Sequence, residues 1–216
     1  MNSITDLNDT TTDDDYGWSF IICTDGIQTQ FHHLIIQSIT SQNIPKFEII
    51  FVTENQYTPP PLNTSIITIV APSDKSSHIT FKKNIGARCA RYKNLCFLHD
   101  YLILGENWYT NMSFKKEWNV CSFRILNLNG NRMSDWIVYN HPVLGHSLVD
   151  YNEPAGLYHY VPGLAFCVKK DFILQYPLNE ELCWGQGEDI EWSERIKHVW
   201  NYKFNDQVFV QSLKLK

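Results

Sequence analysis

The chain has 216 residues, 44% of them hydrophobic and 19% charged, a composition that can bury one core. Its net charge of -5 excludes a general attraction to nucleic acid or to anionic membranes. Residues 1–16 are polar and acidic, unlike a signal peptide, and no apolar run approaches the roughly 18 residues of a membrane span. We therefore expect a disordered tail over 1–16, one domain over 17–216, a soluble cytoplasmic protein, no nucleic-acid partner and no integral membrane segment.

The first half of the chain alternates short apolar runs with stretches whose apolar residues recur at helical spacing. A strand, a helix and a second strand in close succession indicate parallel strands joined by a right-handed crossover. The predicted elements are strand 18–23, helix 31–41, strand 47–52, a proline break at 59–61, strand 66–70, helix 79–92 and strand 95–98.

The second half is less regular, and its strands are not each followed by a helix. Residues 141–160 mix Pro, Gly, His, Asp and Glu, which predicts an irregular loop over a site. The other predicted elements are strand 118–125, strand 136–139, strand 164–168 followed by a short helix, helix 189–200 and strand 207–213. The pattern indicates one α/β domain with a parallel N-terminal half and a mixed C-terminal half.

Polar residues follow several of the predicted strands. Ligands of open parallel sheets bind beyond the carboxyl ends of the strands, so these residues are candidates for a binding site. They are Thr24, Asp25, Gly26, Thr53, Glu54, His99 and Asp100.

The pair His99-Asp100 ends an apolar strand. A carboxylate suits magnesium or manganese that bridges two phosphates, and an imidazole ligand would favour manganese. The alternative is structural: Asp100 caps a helix start and His99 is an ordinary surface residue.

The segment CWGQGEDIEWSERI begins at Cys183 and places Glu188 and Asp189 at a helix start. The helix dipole favours carboxylates there, so the pair can be purely structural. Alternatively, it can hold an acceptor sugar and remove a proton from its hydroxyl. Trp184 and Trp192 can stack on that sugar or belong to the core.

The segment KKNIGAR begins at Lys82, at the start of a predicted helix. Basic side chains there can contact a diphosphate, and small residues allow a close approach of the backbone. The alternative is a solvated helix start.

Three segments together resemble the GT-A fold glycosyltransferases, chiefly the large family 2 group. WSFIICTDG followed by SITSQNIPKFEIIFV looks like the family's first strand, helix and second strand. KKNIGARCARYKNLCFLHDY is similar to its Asn-x-Gly-x-x-x-Ala helix and metal-binding acidic motif. WGQGEDIEWSERI resembles the Gly-Glu-Asp-x-Glu-x-x-x-Arg segment of inverting members and the Trp-Gly-x-Gly-x-Glu-Asp segment of β-1,4-galactosyltransferases. The matches span residues 18–200 in the expected order and imply a Rossmann-like, mostly parallel central sheet flanked by helices.

The resemblance also implies roles for the site residues. Residues 17–101 would bind a nucleotide-sugar, with a UDP-sugar as the default donor, and residues 102–216 would bind a glycan, protein or lipid acceptor. The enzyme would be a hexosyltransferase that uses manganese or magnesium and inverts the anomeric carbon, with Asp189 as general base and Glu188 on the acceptor. The donor residues would be Thr24, Asp25, Gly26, Glu54, Lys83, Asn84 and His99, the metal ligands Asp100 and His99, and the acceptor residues Trp184, Glu191 and Trp192.

Two alternatives remain open. The usual Asp-x-Asp motif is reduced here to His99-Asp100-Tyr101, which is compatible with an inactive GT-A domain that only binds a nucleotide-sugar or glycan. A sugar nucleotidyltransferase is disfavoured, because the residues after the first strand lack the Gly-rich basic phosphate loop of that class.

Overall fold

A computed structural model of the chain describes residues 17–54, 58, 65–75, 77–112 and 117–214. The expected acidic tail over 1–16 and the proline break at 59–61 lie outside these ranges. The strands are β1 (Trp18–Cys23), β2 (Phe47–Thr53), β3 (Ile66–Val70), β4 (Asn94–His99), β5 (Leu102–Leu104), β6 (Val120–Leu126), β7 (Ile137–His141), β8 (Gly145–Leu148), β9 (His159–Tyr160), β10 (Ala165–Lys169) and β11 (Tyr202–Ser212). The helices are α1 (His32–Thr40), α2 (Ile79–Cys89), α3 (Trp108–Asn111), α4 (Lys170–Gln175) and α5 (Glu188–Ile196).

The main sheet has the order β3-β2-β1-β4-β10-β6-β11-β5. The strands β3, β2, β1 and β4 are parallel to one another. β10 runs antiparallel to both β4 and β6, β11 is parallel to β6, and β5 is antiparallel to β11. The prediction of a parallel N-terminal half and a mixed C-terminal half within an α/β fold is therefore confirmed.

Both faces of the sheet are covered. Along β1, the side chains of Trp18, Phe20 and Ile22 join an apolar cluster with α1, whereas Ile21 and Cys23 join a second cluster on the opposite face. The alternation follows from the two-residue period of a strand. Because both faces are buried, every residue of β1 is buried and all but Ser19 are apolar, as is usual for the central strands of parallel sheets.

The expectation of an irregular loop over 141–160 is wrong in part. β7, β8 and β9 form a separate antiparallel sheet in the order β8-β7-β9. β8 consists of Gly, His, Ser and Leu and is mostly exposed, so it lacks the apolar alternation by which strands are recognised in a sequence. The residues between β8 and β9 have no regular structure, as expected.

Two further strands differ from the prediction. The last strand begins at Tyr202 and not at 207, because its polar middle part, which includes Asn205, still pairs with β6 up to a register shift. β5 was not predicted, because it has three residues and follows His99 almost directly. Within the described residues, no helix is long and apolar enough to cross a membrane.

Candidate active site

Parallel pairing brings the polar residues after three strands to one edge of the sheet. Cys23, at the end of β1, is in register with Val52 on one side and with His99 on the other. The residues that follow these strands line a cavity of about 430 Å³, which we call the strand-end cavity. Its lining includes Thr24, Asp25, Glu54, Lys82, His99, Asp100, Trp184 and Lys214.

Asp100 is fixed within the strand-end cavity by Thr24. The Thr24 hydroxyl donates a hydrogen bond of 2.7 Å to Asp100 Oδ2 and accepts one of 2.9 Å from the backbone N–H of Gly26. Burial raises the pKa of the Asp100 carboxyl above its ordinary value, and the hydrogen bond from Thr24 partly offsets this rise. Asp25 accepts a hydrogen bond from the backbone N–H of Ile27, which closes the turn after β1.

Of the two adjacent lysines on α2, Lys82 is the one that lines the strand-end cavity. Its ammonium group donates hydrogen bonds to the backbone oxygen of Thr24, at 3.0 Å, and to Glu54 Oε1, at 2.7 Å. The sequence contained a signal for this placement, since Gly86 lies four residues further along α2 and therefore on the same helix face. A Cβ atom at Gly86 would lie 2.5 Å from the side chain of Ile21, so this face packs on the sheet.

The neighbouring residues on α2 have other partners. Lys83 and Asn84 were both expected near the nucleotide or the diphosphate. Lys83 is 2% exposed and donates a hydrogen bond of 2.9 Å to the backbone oxygen of Gly163. Asn84 is equally buried, and its side chain makes hydrogen bonds of 2.9 Å and 3.1 Å to the backbone oxygen and N–H of Leu178. Both residues join α2 to the second half of the chain.

A smaller cavity of about 210 Å³ adjoins the first, and we call it the loop cavity. Its lining includes Gly163, Gly185, Gly187, Glu188 and Asp189. His99 and Trp184 line both cavities and thus form their common wall.

Gly163 organises the loop cavity, and the sequence analysis did not identify it. Its N–H donates a hydrogen bond of 3.0 Å to Asp189 Oδ2, and its carbonyl accepts the one from Lys83. It lies beside His99 because the backbone N–H of His99 donates to the carbonyl of Leu164, where β10 begins next to the end of β4. No sequence motif marks this contact, since it depends on an antiparallel pairing between distant strands.

His99 is a neutral side chain at pH 7. The pKa of its imidazole is lowered to about 3, first by burial and then by the positive charges of Lys83 and Lys214. A hydrogen bond with the backbone of Gly163 acts in the opposite direction. Lys214 also lines the strand-end cavity, where its ammonium group lies 4.1 Å from the ring centroid of Tyr101.

A glycine-rich turn precedes α5, which begins at Glu188, and Trp184 is exposed in this turn. Gly185 and Gly187 have φ angles of 80° and 72°, a conformation that side chains with a Cβ rarely adopt. Trp184 is 71% exposed, whereas Glu188 is buried. The turn therefore presents an aromatic ring to both cavities beside the carboxylate of Asp189.

The other two residues expected at the acceptor lie elsewhere. Trp192 is 1% exposed, packs against Phe166, and donates its indole N–H to the carbonyl of Tyr176 at 2.7 Å. Glu191 forms an ion pair with Arg195 on the surface of α5. Both are on the same helix as Asp189, but neither is among the residues that line the loop cavity.

Asp100 is the residue whose chemistry best suits a divalent cation. Within the described part of the chain, no three His, Cys, Asp or Glu side chains are grouped so that they could hold a metal. However, magnesium is commonly bound by one or two carboxylates, with phosphates and water as the other ligands. The carboxylate of Asp100, with the neutral imidazole of His99 next to it in sequence, therefore fits a cation that a bound diphosphate helps to hold.

The strand order and the covering helices define a GT-A-type α/β fold. The chain is similar to S. aureus TarS 1-349, with a TM-score of 0.65 and 11% identity over 91% of this chain and 60% of that chain. For S. aureus TarS 1-349 in complex with UDP-GlcNAc, the TM-score is 0.63, with 12% identity over 93% and 60% of the two chains. For a longer S. aureus TarS structure, it is 0.59, with 12% identity over 89% and 36%.

This likeness establishes the fold, and the chain spans about 60% of the length of TarS 1-349. No protein-family profile matches the chain, and no curated protein matches it in sequence.

Proposed function

We propose that this chain is an inverting glycosyltransferase of the hexosyltransferase type, which transfers a sugar from a nucleotide-diphosphate donor to an acceptor hydroxyl. The junction of the two cavities carries the proposal, since His99 and Trp184 separate a site suited to a diphosphate from one that holds Glu188 and Asp189. The fold neighbour TarS is a glycosyltransferase, and one of its structures contains UDP-GlcNAc. This supports a UDP-sugar as the donor.

The strand-end cavity would bind the donor. Thr24, Asp25 and Glu54 lie at the ends of β1 and β2, where they can hold the base and ribose. Lys82 and Lys214 supply positive charge to the same cavity, which favours the diphosphate. Asp100 and His99 would hold a manganese or magnesium ion, which stabilises negative charge on the departing diphosphate when bound.

The loop cavity would bind the acceptor. The carboxylate of Asp189 would remove the proton from the acceptor hydroxyl. At the same time, the hydroxyl oxygen would attack the anomeric carbon of the donor sugar, and the bond from that carbon to the diphosphate would break. The N–H of Gly163 keeps that carboxylate in place. Glu188 and the exposed ring of Trp184 would bind the acceptor sugar, whose carbon-bound hydrogens pack well on an aromatic face. Glu191, which is paired with Arg195, and Trp192, which is hydrogen-bonded to Tyr176, would not contact the acceptor.

A catalytically inactive domain that binds a nucleotide-sugar is the second candidate. It is favoured by one observation, that the described residues hold no three-ligand metal cluster. Both candidates bind the donor, but only the transferase releases UDP in the presence of an acceptor. Release of UDP therefore separates them.

Thermal unfolding with manganese and a panel of nucleotide-sugars tests the donor site. A ligand that binds only the folded state, present at a free concentration of about one hundred times its Kd, adds about 2.7 kcal/mol to the free energy of unfolding. We expect one UDP-sugar to raise the Tm of the wild type only with the metal, and the Asp100→Ala variant to lose this rise.

The matched control is Asp171→Ala. Asp171 is an exposed carboxylate in the first turn of α4, which follows β10. The last residue of β10 pairs with the first residue of β4, whereas Asp100 follows the other end of β4. Asp171 therefore lies at the opposite edge of the sheet, and this variant should keep the full rise in Tm. If no nucleotide-sugar raises the Tm of the wild type under any metal condition, the chain shares only a fold with glycosyltransferases.

A further inference from the structure

A third cavity, of about 640 Å³, lies on the small sheet formed by β7, β8 and β9, and we call it the small-sheet cavity. Its volume is within the range of roughly 300–1,000 Å³ that is typical of small-molecule sites. The walls are mainly apolar and include Val138, Val143, Leu144, Leu148, Leu157 and Tyr158. None of these residues has a role in the proposed transfer.

The walls of the small-sheet cavity concentrate exposed apolar surface. Val143 is 84% exposed and Leu157 is 63% exposed. Of the eleven large hydrophobic side chains that are strongly exposed among the described residues, five line this cavity. Single exposed apolar residues are ordinary, but a cluster of them at a concave site indicates a ligand.

His159 adds an unsatisfied polar group to the same wall. It is 6% exposed, and its Nδ1 accepts a hydrogen bond of 3.0 Å from the backbone N–H of Gly156. The ring is neutral, since burial lowers its pKa to about 4, and the proton is therefore on Nε2. That nitrogen is buried without a hydrogen-bond partner in the described ranges, a costly state for a polar group.

The small-sheet cavity is anchored to the helix that carries Asp189. The backbone N–H of Val161, just after β9, donates a hydrogen bond to Ser193 Oγ, which in turn donates to the carbonyl of Asp189. His159 precedes Gly163 by four positions, so the chain between them spans at most about 14 Å. A sugar with an attached alkyl chain can bridge such a distance.

The polar rim of the small-sheet cavity disfavours an anionic occupant. Asp150 and Glu153 both line the small-sheet cavity and are exposed. Two carboxylates repel a phosphate or another anion close to the apolar walls. An uncharged group is therefore preferred over a phospholipid or a polyol phosphate.

We propose that the small-sheet cavity binds the apolar part of the acceptor, an uncharged alkyl or aryl group attached to the sugar whose hydroxyl reaches Asp189. This assignment rests on the proposed function, because it treats the loop cavity as the acceptor site. It narrows the acceptor from any glycan, protein or lipid to a sugar that carries an uncharged apolar group.

Calorimetric titration of the full chain, with UDP and manganese present, tests the proposal. The probes are octyl β-glucoside, below its micelle concentration, methyl β-glucoside and octyl phosphate. We expect the octyl glucoside to bind about tenfold more tightly than the methyl glucoside, since each buried methylene group favours binding. Octyl phosphate should bind more weakly than octyl glucoside, because the two carboxylates repel the phosphate. The double variant Asp150→Asn with Glu153→Gln should remove this electrostatic part of the difference in affinity.

Variants locate the octyl group. Leu157→Asp and Val143→Asp should abolish the preference for octyl over methyl glucoside, because each places a carboxylate in an exposed apolar wall. Leu174→Asp is the control, as Leu174 is 43% exposed on α4 and does not line this cavity. An equal loss in Leu174→Asp overturns the proposal.

The other outcomes are distinct. Equal affinities for the two glucosides, with normal binding of UDP, overturn this inference and leave the proposed function intact. If UDP and UDP-sugars do not bind, the proposed function fails, and the cavity can no longer be assigned to an acceptor. If the wild type dimerises in sedimentation and Val143→Asp is monomeric without any octyl preference, the surface serves a second copy and the proposal is wrong.

Discussion

The two cavities of the candidate site are built in different ways. The strand-end cavity is formed by residues that directly follow β1, β2 and β4, three parallel neighbours in the sheet. The loop cavity is formed by the turn at Gly185 and Gly187 and by Gly163, which precedes an antiparallel strand. In the first, the sheet itself sets the positions of the side chains. In the second, hydrogen bonds between loops set them.

This difference predicts how each cavity responds to mutation. Where the sheet holds the side chains rigidly, the loss of one polar group should leave its neighbours in place. Such a change should weaken only the binding of the ligand that the group contacts. Loops held by a few hydrogen bonds transmit a small shift directly to the reacting carboxylate. Changes in the loop cavity should therefore reduce turnover more than they reduce donor affinity.

Asp189→Asn should have the largest effect on turnover. The amide can still accept the hydrogen bond from Gly163, but it cannot take a proton, so kcat should fall about a hundredfold to ten-thousandfold. The measurement is UDP release at saturating donor and acceptor. Glu194→Gln, on the exposed face of the same helix, is the control and should keep normal turnover. Equal rates for Asp189→Asn and wild type would exclude Asp189 as the base.

The two tryptophans of the same motif should separate stability from function. Trp192→Ala removes a fully buried side chain and should lower the free energy of unfolding by about 3–5 kcal/mol, measured in urea. Trp184→Ala should change it by less than about 0.5 kcal/mol, because the ring is exposed, and should raise the KM for the acceptor. An unchanged KM would remove Trp184 from the acceptor site.

Gly163→Ala should act on turnover through Asp189. The added Cβ would lie 3.2 Å from Asp189 Oδ2, a contact tight enough that this carboxylate must shift, whereas the 3.4 Å to Glu188 Oε1 is an ordinary contact. Misplacement of this kind should lower kcat about tenfold to a hundredfold. UDP affinity, measured by calorimetry, should stay near that of the wild type. A loss of UDP affinity without a loss of kcat would contradict the division between the two cavities.

Lys82→Met tests the strand-end cavity. The variant leaves Glu54 and the carbonyl of Thr24 without their buried partner, at a cost of about 1–3 kcal/mol in unfolding free energy. Lys75→Met breaks the more exposed pair with Glu181 and should cost less than about 1 kcal/mol. The contrast is checked by urea unfolding, and Lys82→Met alone should weaken UDP binding.

The grouping of residues after β1, β2 and β4 was predictable from the sequence. Apolar runs marked these strands, and parallel strands bring their carboxyl ends to one edge. The choice between Lys82 and Lys83 was marked only indirectly, by Gly86 four residues after Lys82 on the same helix face. Adjacent residues on a helix point about 100° apart, so the rotation of α2 against the sheet decides which ammonium group enters the cavity.

The second half of the chain was less predictable. The small sheet was missed because β8 has no alternating apolar pattern, and Gly163 was missed because no motif surrounds it. The motif that contains Trp184 and Trp192 also gave no sign of which ring is buried. The packing of α5 against Phe166 buries Trp192, whereas the left-handed glycines before the helix expose Trp184.

The sequence by itself determined the α/β class, the parallel first half and the acidic groups after its strands, because periodicity and strand-end positions are local properties of the chain. The tertiary structure decided the contact of Gly163 with Asp189 and the common wall of the two cavities. It also decided the small-sheet cavity with its exposed apolar walls. These features depend on pairings and packing between residues far apart in the chain, which local patterns do not encode.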